Sequence, residues 1–230
     1  MEAKKGRTYA VERAALTTHL LTKVQLQHQL EREYFPTGVL SFDAVTGGIP
    51  RGAITEVYGP ASSGKTTFLH ALLANASASG EFCSLIDASD SFDPASASAA
   101  GTELARLLWV RCLRIEQAMR SADMLIHSGG WGVIVLDITD IRHEILRKIS
   151  LSYWYRFKRA IENTPAVFIV LTREPQVKNC AAMTLELPPA RPVWSGAHRD
   201  FQLLCGFDVH VTPRKPIRSE TASFRARAIA

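Results

Sequence analysis

The sequence predicts an α/β domain in which a mostly parallel sheet is flanked by helices, with an amphipathic helix in front of it. Three observations predict this. From Ile54 onward, short apolar runs alternate with longer stretches of helical periodicity, the signature of repeated strand-helix-strand units. The runs at residues 54–58, 82–86, 108–111, 133–137 and 166–171 are mostly apolar rather than alternating, as strands covered on both faces must be. A glycine-rich turn stands between the first of these runs and the first helical stretch. With 47% hydrophobic and 21% charged residues, a chain of 230 residues can bury a substantial core.

The elements divide into three parts, residues 1–34, 35–212 and 213–230. In the first, Leu16, Leu20, Val24 and Leu30 recur at near-helical spacing over residues 9–34, which predicts an amphipathic helix. Two uses fit it equally: packing on its own domain, or docking on a neighbouring subunit. Residues 66–76 place Phe68, Leu69, Leu72, Leu73 and Ala76 on one helical face. Residues 87–101, rich in Ser, Ala and Asp, read as a partly helical surface loop. The third part carries Arg214, Lys215, Arg218, Arg225 and Arg227 against Glu220 with little apolar periodicity, and predicts a basic, flexible tail.

The segment Gly59-Pro60-Ala61-Ser62-Ser63-Gly64-Lys65-Thr66, followed by Thr67, matches G-x-x-x-x-G-K-[ST] and lies between a predicted strand and a predicted helix. Its glycines let the backbone N–H groups wrap a phosphate, toward which the next helix aims its positive end. Lys65 is expected to bridge the β- and γ-phosphates, and the Thr66 hydroxyl to hold Mg²⁺. A second, acidic partner for the metal comes at the end of the run 133–137, where Asp137 is expected to act through water. The bland alternatives are an incidental Gly/Ser turn for the loop and helix capping for Asp137 and Asp140.

Composition excludes several classes. A net charge of +5 is too mild to announce nucleic-acid binding by itself. Cys83, Cys112, Cys180 and Cys205 form no C-x-x-C pair, so neither a zinc site nor a disulfide framework is expected, and a reducing cytoplasm is. No apolar run can span a bilayer, and the start lacks the hydrophobic stretch of a secretion signal.

Taken together, Thr37-Gly38-Val39-Leu40-Ser41-Phe42-Asp43, Gly47-Gly48-Ile49-Pro50-Arg51-Gly52, the glycine-rich loop, Leu85-Ile86-Asp87-Ala88, Asp93-Pro94, Glu116-Gln117-Ala118 and the 133–137 run resemble the RecA recombinase core over residues 37–171. Within that family the chain looks most similar to the short, recombinase-like proteins of damage-induced mutagenesis, the ImuA type. The resemblance implies a RecA-like nucleotide-binding fold, ATP or ADP with Mg²⁺ as ligands, and Asp93 beside the nucleotide.

The departures from that family restrict the activity. Ser89 stands where the family has the glutamate that activates the attacking water, and a serine cannot be a carboxylate base. Asp90, one residue on, is the candidate substitute, with Lys65 as the other catalytic candidate. Ser96 replaces the tyrosine that the family places near the adenine, and Thr172 replaces the glutamine that senses the γ-phosphate. The two segments corresponding to DNA-binding loops are short, and no separate C-terminal domain is expected.

For nucleic acid, Arg147, Lys148, Arg156, Lys158 and Arg159 are interleaved with Tyr153, Trp154, Tyr155 and Phe157, a composition suited to phosphate pairing and base stacking. Because Ile141, Ile145, Ile149, Tyr153 and Phe157 recur every four residues, the same stretch also reads as a core-packing helix with solvated basic residues. Arg214 and Lys215 are further candidates. Three functions are left open. The first is a regulatory ATP-binding protein of the SOS response that acts by binding RecA or a translesion polymerase complex, with weak or no hydrolysis. The second is a DNA-dependent ATPase acting as a homo-oligomer. The third, a small-molecule kinase, fits least, because such enzymes usually begin near this loop.

Overall fold

The apolar runs are strands, and their pairing builds the sheet that the sequence predicts. The computed structural model describes residues 33–162, 164–195, 202–216 and 220–227. Tyr34–Phe35 (β1) and Ile49–Pro50 (β2) form a small antiparallel pair. Ala53–Tyr58 (β3), Cys83–Asp87 (β4), Leu107–Arg111 (β5), Val133–Asp137 (β6), Val167–Thr172 (β7) and Met183–Glu186 (β8) are mutually parallel. Arg191–Ser195 (β9), Leu203–Lys215 (β10) and Ala222–Arg227 (β11) extend the sheet antiparallel. The order is β11-β10-β8-β3-β7-β6-β4-β5, with β9 also on β10.

Helices cover both faces, which is why the central strands are apolar throughout. On one face, Leu40–Thr46 (α1) and Lys65–Ala78 (α2) bury Phe42, Phe68, Leu69, Leu72 and Leu73 against Val57, Leu85, Val133, Val135 and Ile169. Phe42 meets Phe68 edge-on, ring centroids 5.2 Å apart. Alternate residues of the same strands, Ile54, Ile86, Ile134, Leu136 and Phe168, point to the other face. There they meet Met119 and Ile126 of Ile115–Ser128 (α4) and Trp154, Phe157 and Ile161 of Leu151–Ile161 (α6). Pro94–Ala99 (α3) and His143–Leu146 (α5) are short helices in the connections. The described residues from Tyr34 onward form one compact unit.

The structure corrects the sequence reading in three places. The helix expected over residues 9–34 lies outside the described residues up to 32, and at its far end Tyr34 is in a strand, paired with Pro50. The stretch 142–159 is two helices. Ser150 caps a fresh start by accepting from the Ser152 N–H at 3.3 Å, which resets the period so that Trp154, Phe157 and Ile161 become the buried stripe. The flexible tail is, over residues 222–227, the strand β11. Its alternation is of small and aromatic residues: Ala222 is buried, Phe224 and Ala226 pack on the core, and Ser223, Arg225 and Arg227 alternate with them. Arg225 is fixed by Asp208 at 2.8 Å across the β10–β11 ladder.

Candidate phosphate-binding site

Residues 59–64 join β3 to α2, and the sheet clamps them from two sides. Gly59 N–H donates to the Thr172 carbonyl at 3.3 Å, at the end of β7. On the other side, Leu187 N–H donates to Tyr58 O and Ala190 N–H to Ser62 O, each at 2.9 Å. A Cβ on Gly59 would lie 2.1 Å from the Leu187 carbonyl oxygen. Gly64, at φ +86°, admits no side chain either, since a Cβ there would sit 2.6 Å from Val209 Cγ2. These two glycines let a backbone loop lie flat under a helix N-terminus, the geometry that cradles a phosphate.

The loop opens onto a cleft of about 380 Å³ lined by Ser62, Ser63, Lys65, Thr66, Thr67 and Asp137, among others. Ala61 and Gly64 also line it, whereas Gly59 and Pro60 are outside the lining and reach it only through Lys65, which their carbonyls hold. Lys65 is only 7% exposed. Its ammonium donates to the Gly59 carbonyl, to the Pro60 carbonyl at 2.8 Å and to Ser63 Oγ at 3.3 Å. Burial pushes its pKa down, while Asp137 and Asp140 oppose the shift and Arg173 adds to it. A phosphate oxygen in the loop would compete with these carbonyls for the same N–H donors. Asp137 ends β6 at the cleft and accepts from Thr139 N–H at 2.9 Å, and burial raises its carboxyl above the usual range. The Thr66 hydroxyl and the Asp137 carboxylate on one cleft are the donor set that a hard cation beside a phosphate requires.

Other predicted residues lie elsewhere. Asp90, the candidate base, gives both oxygens to the Arg111 guanidinium at 2.7 and 2.8 Å, which holds its pKa low. Ser91, not Asp90, is the residue of that loop that lines the cleft. Asp93 is the N-cap of α3, accepting from Ala95 and Ser96 N–H and from the Ser96 hydroxyl. Both residues are therefore engaged in local structure. Ser89 accepts the Asp140 N–H at 3.0 Å. At the end of β7, Leu171 lines the cleft, whereas Thr172 is fully buried, its hydroxyl without a partner among the described residues.

The basic candidates form no single surface with the cleft. Arg156 pairs with Asp123 at 2.9 Å and lies over the Tyr153 ring, and with Tyr155, Arg159 and His127 it lines a separate shallow groove. Lys158 faces Glu162 at 4.0 Å, and Arg147 and Lys148 are exposed. Arg214 is bound to Glu186, and the Lys215 ammonium donates to the Ala181 carbonyl. The last two are structural ties between β10 and its neighbours.

Sequence reading missed Thr139, Asp140, Ala190, Phe207 and Val209 in the cleft lining. Phe207 and Val209 come from β10, whose place against β8 no local pattern announces. Asp140 carries the one available signal, a second carboxylate three residues after Asp137.

A doubly covered parallel sheet with this loop between β3 and α2 defines an α/β domain of the P-loop class. A family model described as RecA N-terminal domain matches residues 12–142, and the chain belongs to that family. It is 40% identical over 119 residues to "Protein RecA" of Deinococcus radiodurans, which covers 51% of this chain and 33% of that protein. It is 43% identical over 110 residues to the protein of that name from Salinispora tropica (47% and 32%), and 45% over 107 residues to that of Bifidobacterium breve (46% and 27%). The chain thus spans about a third or less of the length of the curated relatives it matches. Among the described residues no helix is long and apolar enough to cross a membrane.

Proposed function

We propose that this chain is a RecA-like ATP-binding protein of the DNA-damage response that works in the cytoplasm and reports its bound nucleotide to a protein partner. RecA or a translesion polymerase complex is that partner, as in the ImuA type. The observation that carries the reading is an asymmetry in one cleft. Lys65, Thr66 and Asp137 line the cleft where Mg²⁺ and nucleotide phosphates would sit, but of the two residues weighed as the base neither Ser89 nor Asp90 offers that cleft a free carboxylate. Ser89 is tied to the Asp140 backbone and Asp90 to Arg111. General-base assistance is worth about 10²–10⁴ in rate, so ATP turnover is weak or absent. Phe207, on the cleft wall, offers the apolar face against which a base can rest, in the role for which Ser96 is unsuited.

One observation favours a second reading, a DNA-dependent ATPase acting as a homo-oligomer. The groove of Tyr155, Arg156 and Arg159 combines an exposed ring with guanidinium groups, the chemistry of single-strand binding. Turnover assays with and without single-stranded DNA, together with capture of purified RecA and polymerase, separate the two. Slow turnover, indifferent to DNA, with nucleotide-dependent capture supports the regulatory reading. DNA-stimulated turnover at ordinary enzyme rates overturns it.

A further inference from the structure

Two carboxylates line the cleft beside the phosphate loop among the described residues, Asp137 and Asp140. Both belong to the segment where β6 ends, and their settings differ. Asp137 is the one that the metal requires: burial raises its carboxyl, and its Oδ1 accepts the Thr139 N–H at 2.9 Å. Asp140 is left over, and holding phosphates and a cation does not employ it.

Asp140 is anchored at its backbone and at one oxygen. Its N–H donates to Ser89 Oγ at 3.0 Å, which ties the loop after β6 to the loop after β4. Its Oδ1 accepts Arg173 Nη2 at 2.5 Å, from a bend beyond β7 that is outside the cleft lining. Oδ2 has no hydrogen-bond partner among the described residues, and 47% of the side chain is exposed, so water reaches it. The Lys65 ammonium feels the charge of Asp140 as well as that of Asp137, which puts Asp140 within electrostatic range of the phosphate position. A carboxylate on the cleft wall, oriented through one oxygen and open at the other, is the arrangement of a general base. The hydroxyl groups that share the lining are far weaker proton acceptors.

We propose that Asp140 is the base of this cleft, its free Oδ2 taking a proton from the water that attacks the terminal phosphate of a bound nucleoside triphosphate. The water oxygen bonds to that phosphorus while the bond from phosphorus to the bridging oxygen breaks, the electron pair leaving with the diphosphate. The products are nucleoside diphosphate, inorganic phosphate and a proton that Asp140 returns to solvent. This rests on the nucleotide-binding reading above and makes turnover weak rather than absent. With one oxygen occupied and about half of the side chain in water, assistance by Asp140 belongs at the low end of the general-base range, about 10² in rate. Arg173 positions the carboxylate and takes no part in the proton transfer.

The test compares the full chain as wild type, D140N, D140E and R173A in two measurements. The first is single-turnover release of phosphate from Mg·ATP. The second is calorimetric affinity for Mg·ADP alone, for Mg·ADP with beryllium fluoride, which mimics the intact terminal phosphate, and for Mg·ADP with aluminium fluoride, which mimics the phosphoryl group under attack by water. Asparagine keeps an acceptor for Arg173 and the N–H bond to Ser89, so the anchors of the loop survive in D140N. That variant is expected to lose about a hundredfold in turnover. It is expected to bind the aluminium fluoride complex about tenfold more weakly, the loss of one charge-assisted hydrogen bond to the water, and the other two ligands within about twofold of wild type. D140E recovers part of the turnover, and R173A loses less than D140N. Unchanged turnover in D140N, equal weakening of all three ligands, as a metal ligand would give, or a loss in R173A as large as in D140N overturns the assignment while leaving nucleotide binding intact. So does a wild type that binds nucleotide and never turns it over. A wild type that binds no nucleotide overturns both readings.

Discussion

Asp87 and Asp137 are register partners at the ends of the adjacent parallel strands β4 and β6, yet their carboxylates serve different ends. Asp87, 1% exposed, accepts the N–H groups of Ser89, Ser91 and Phe92 and the Trp109 indole N–H at 3.3 Å. Asp137 faces the cleft. Asp87→Ala leaves several buried donors without an acceptor and is expected to cost about 3 kcal/mol, read from urea unfolding with Trp109 fluorescence as the local signal. Asp137→Ala is expected to leave the unfolding midpoint within about 1 kcal/mol of wild type and to lower nucleotide affinity only when Mg²⁺ is present. The reverse pattern would exchange the roles given to the two aspartates.

Asp90 is locked to Arg111 outside the cleft lining. Asp90→Ala is therefore expected to change neither nucleotide affinity nor any residual turnover by more than about twofold, less than the effect of one typical hydrogen bond. A hundredfold loss of turnover would restore it as a base.

Gly64→Ala is expected to cost about 1–3 kcal/mol, because it combines φ +86° with a Cβ driven into Val209. Val209→Ala in the same chain removes the collision but not the backbone strain, so it recovers part of the loss in a thermal melt. Full recovery would mean that the strain contributes nothing, and no recovery that Val209 is not the obstacle.

How far the site was legible follows from how locally each part is encoded. The loop from Gly59 to Thr67 and the run ending at Asp137 carry their signal within a few residues, and the loop lies between β3 and α2 and Asp137 at the end of β6. The central strands were legible because burial on both faces leaves an apolar run with no competing pattern, within a residue of the observed ends. Phe207 and Val209 were not, because their part in the cleft depends on β10 pairing with β8, and Ala190 was not, because it reaches the cleft through a bond from its N–H to the distant Ser62 carbonyl. The tail was misread because Ala222, Phe224 and Ala226 alternate too weakly to outweigh the arginines between them. Asp90 was overvalued because one residue's displacement along a loop looks small in sequence. In space, φ 51° at Asp90 and the pull of Arg111 turn the carboxylate away.

Glu56 gives a pH dependence. Buried on β3, its carboxyl has a pKa raised by burial, which outweighs the hydrogen bonds from Gln176 and Val177. Between the ordinary carboxylate pKa and this raised value the native state binds more protons than the unfolded one, so stability falls as pH rises through the native pKa. Glu56→Gln keeps an acceptor for both N–H groups and loses the charge. It is expected to match wild type in acid and to melt higher at neutral pH by about 2–4 °C, the shift that ~1 kcal/mol produces in a domain of this size. A lower melting temperature at neutral pH would show that the ionised carboxylate is a net stabiliser.

The central claim is that the cleft around Lys65 holds a nucleotide through its phosphates. Calorimetric titration of wild type and Lys65→Ala with Mg·ATP tests it most directly. The expected result is saturable one-site binding by wild type, weakened at least about tenfold in Lys65→Ala, the loss of one charge-assisted contact to phosphate, with the melting temperature of the unliganded protein retained. Absence of binding by wild type, or equal affinity in the two proteins, would contradict it.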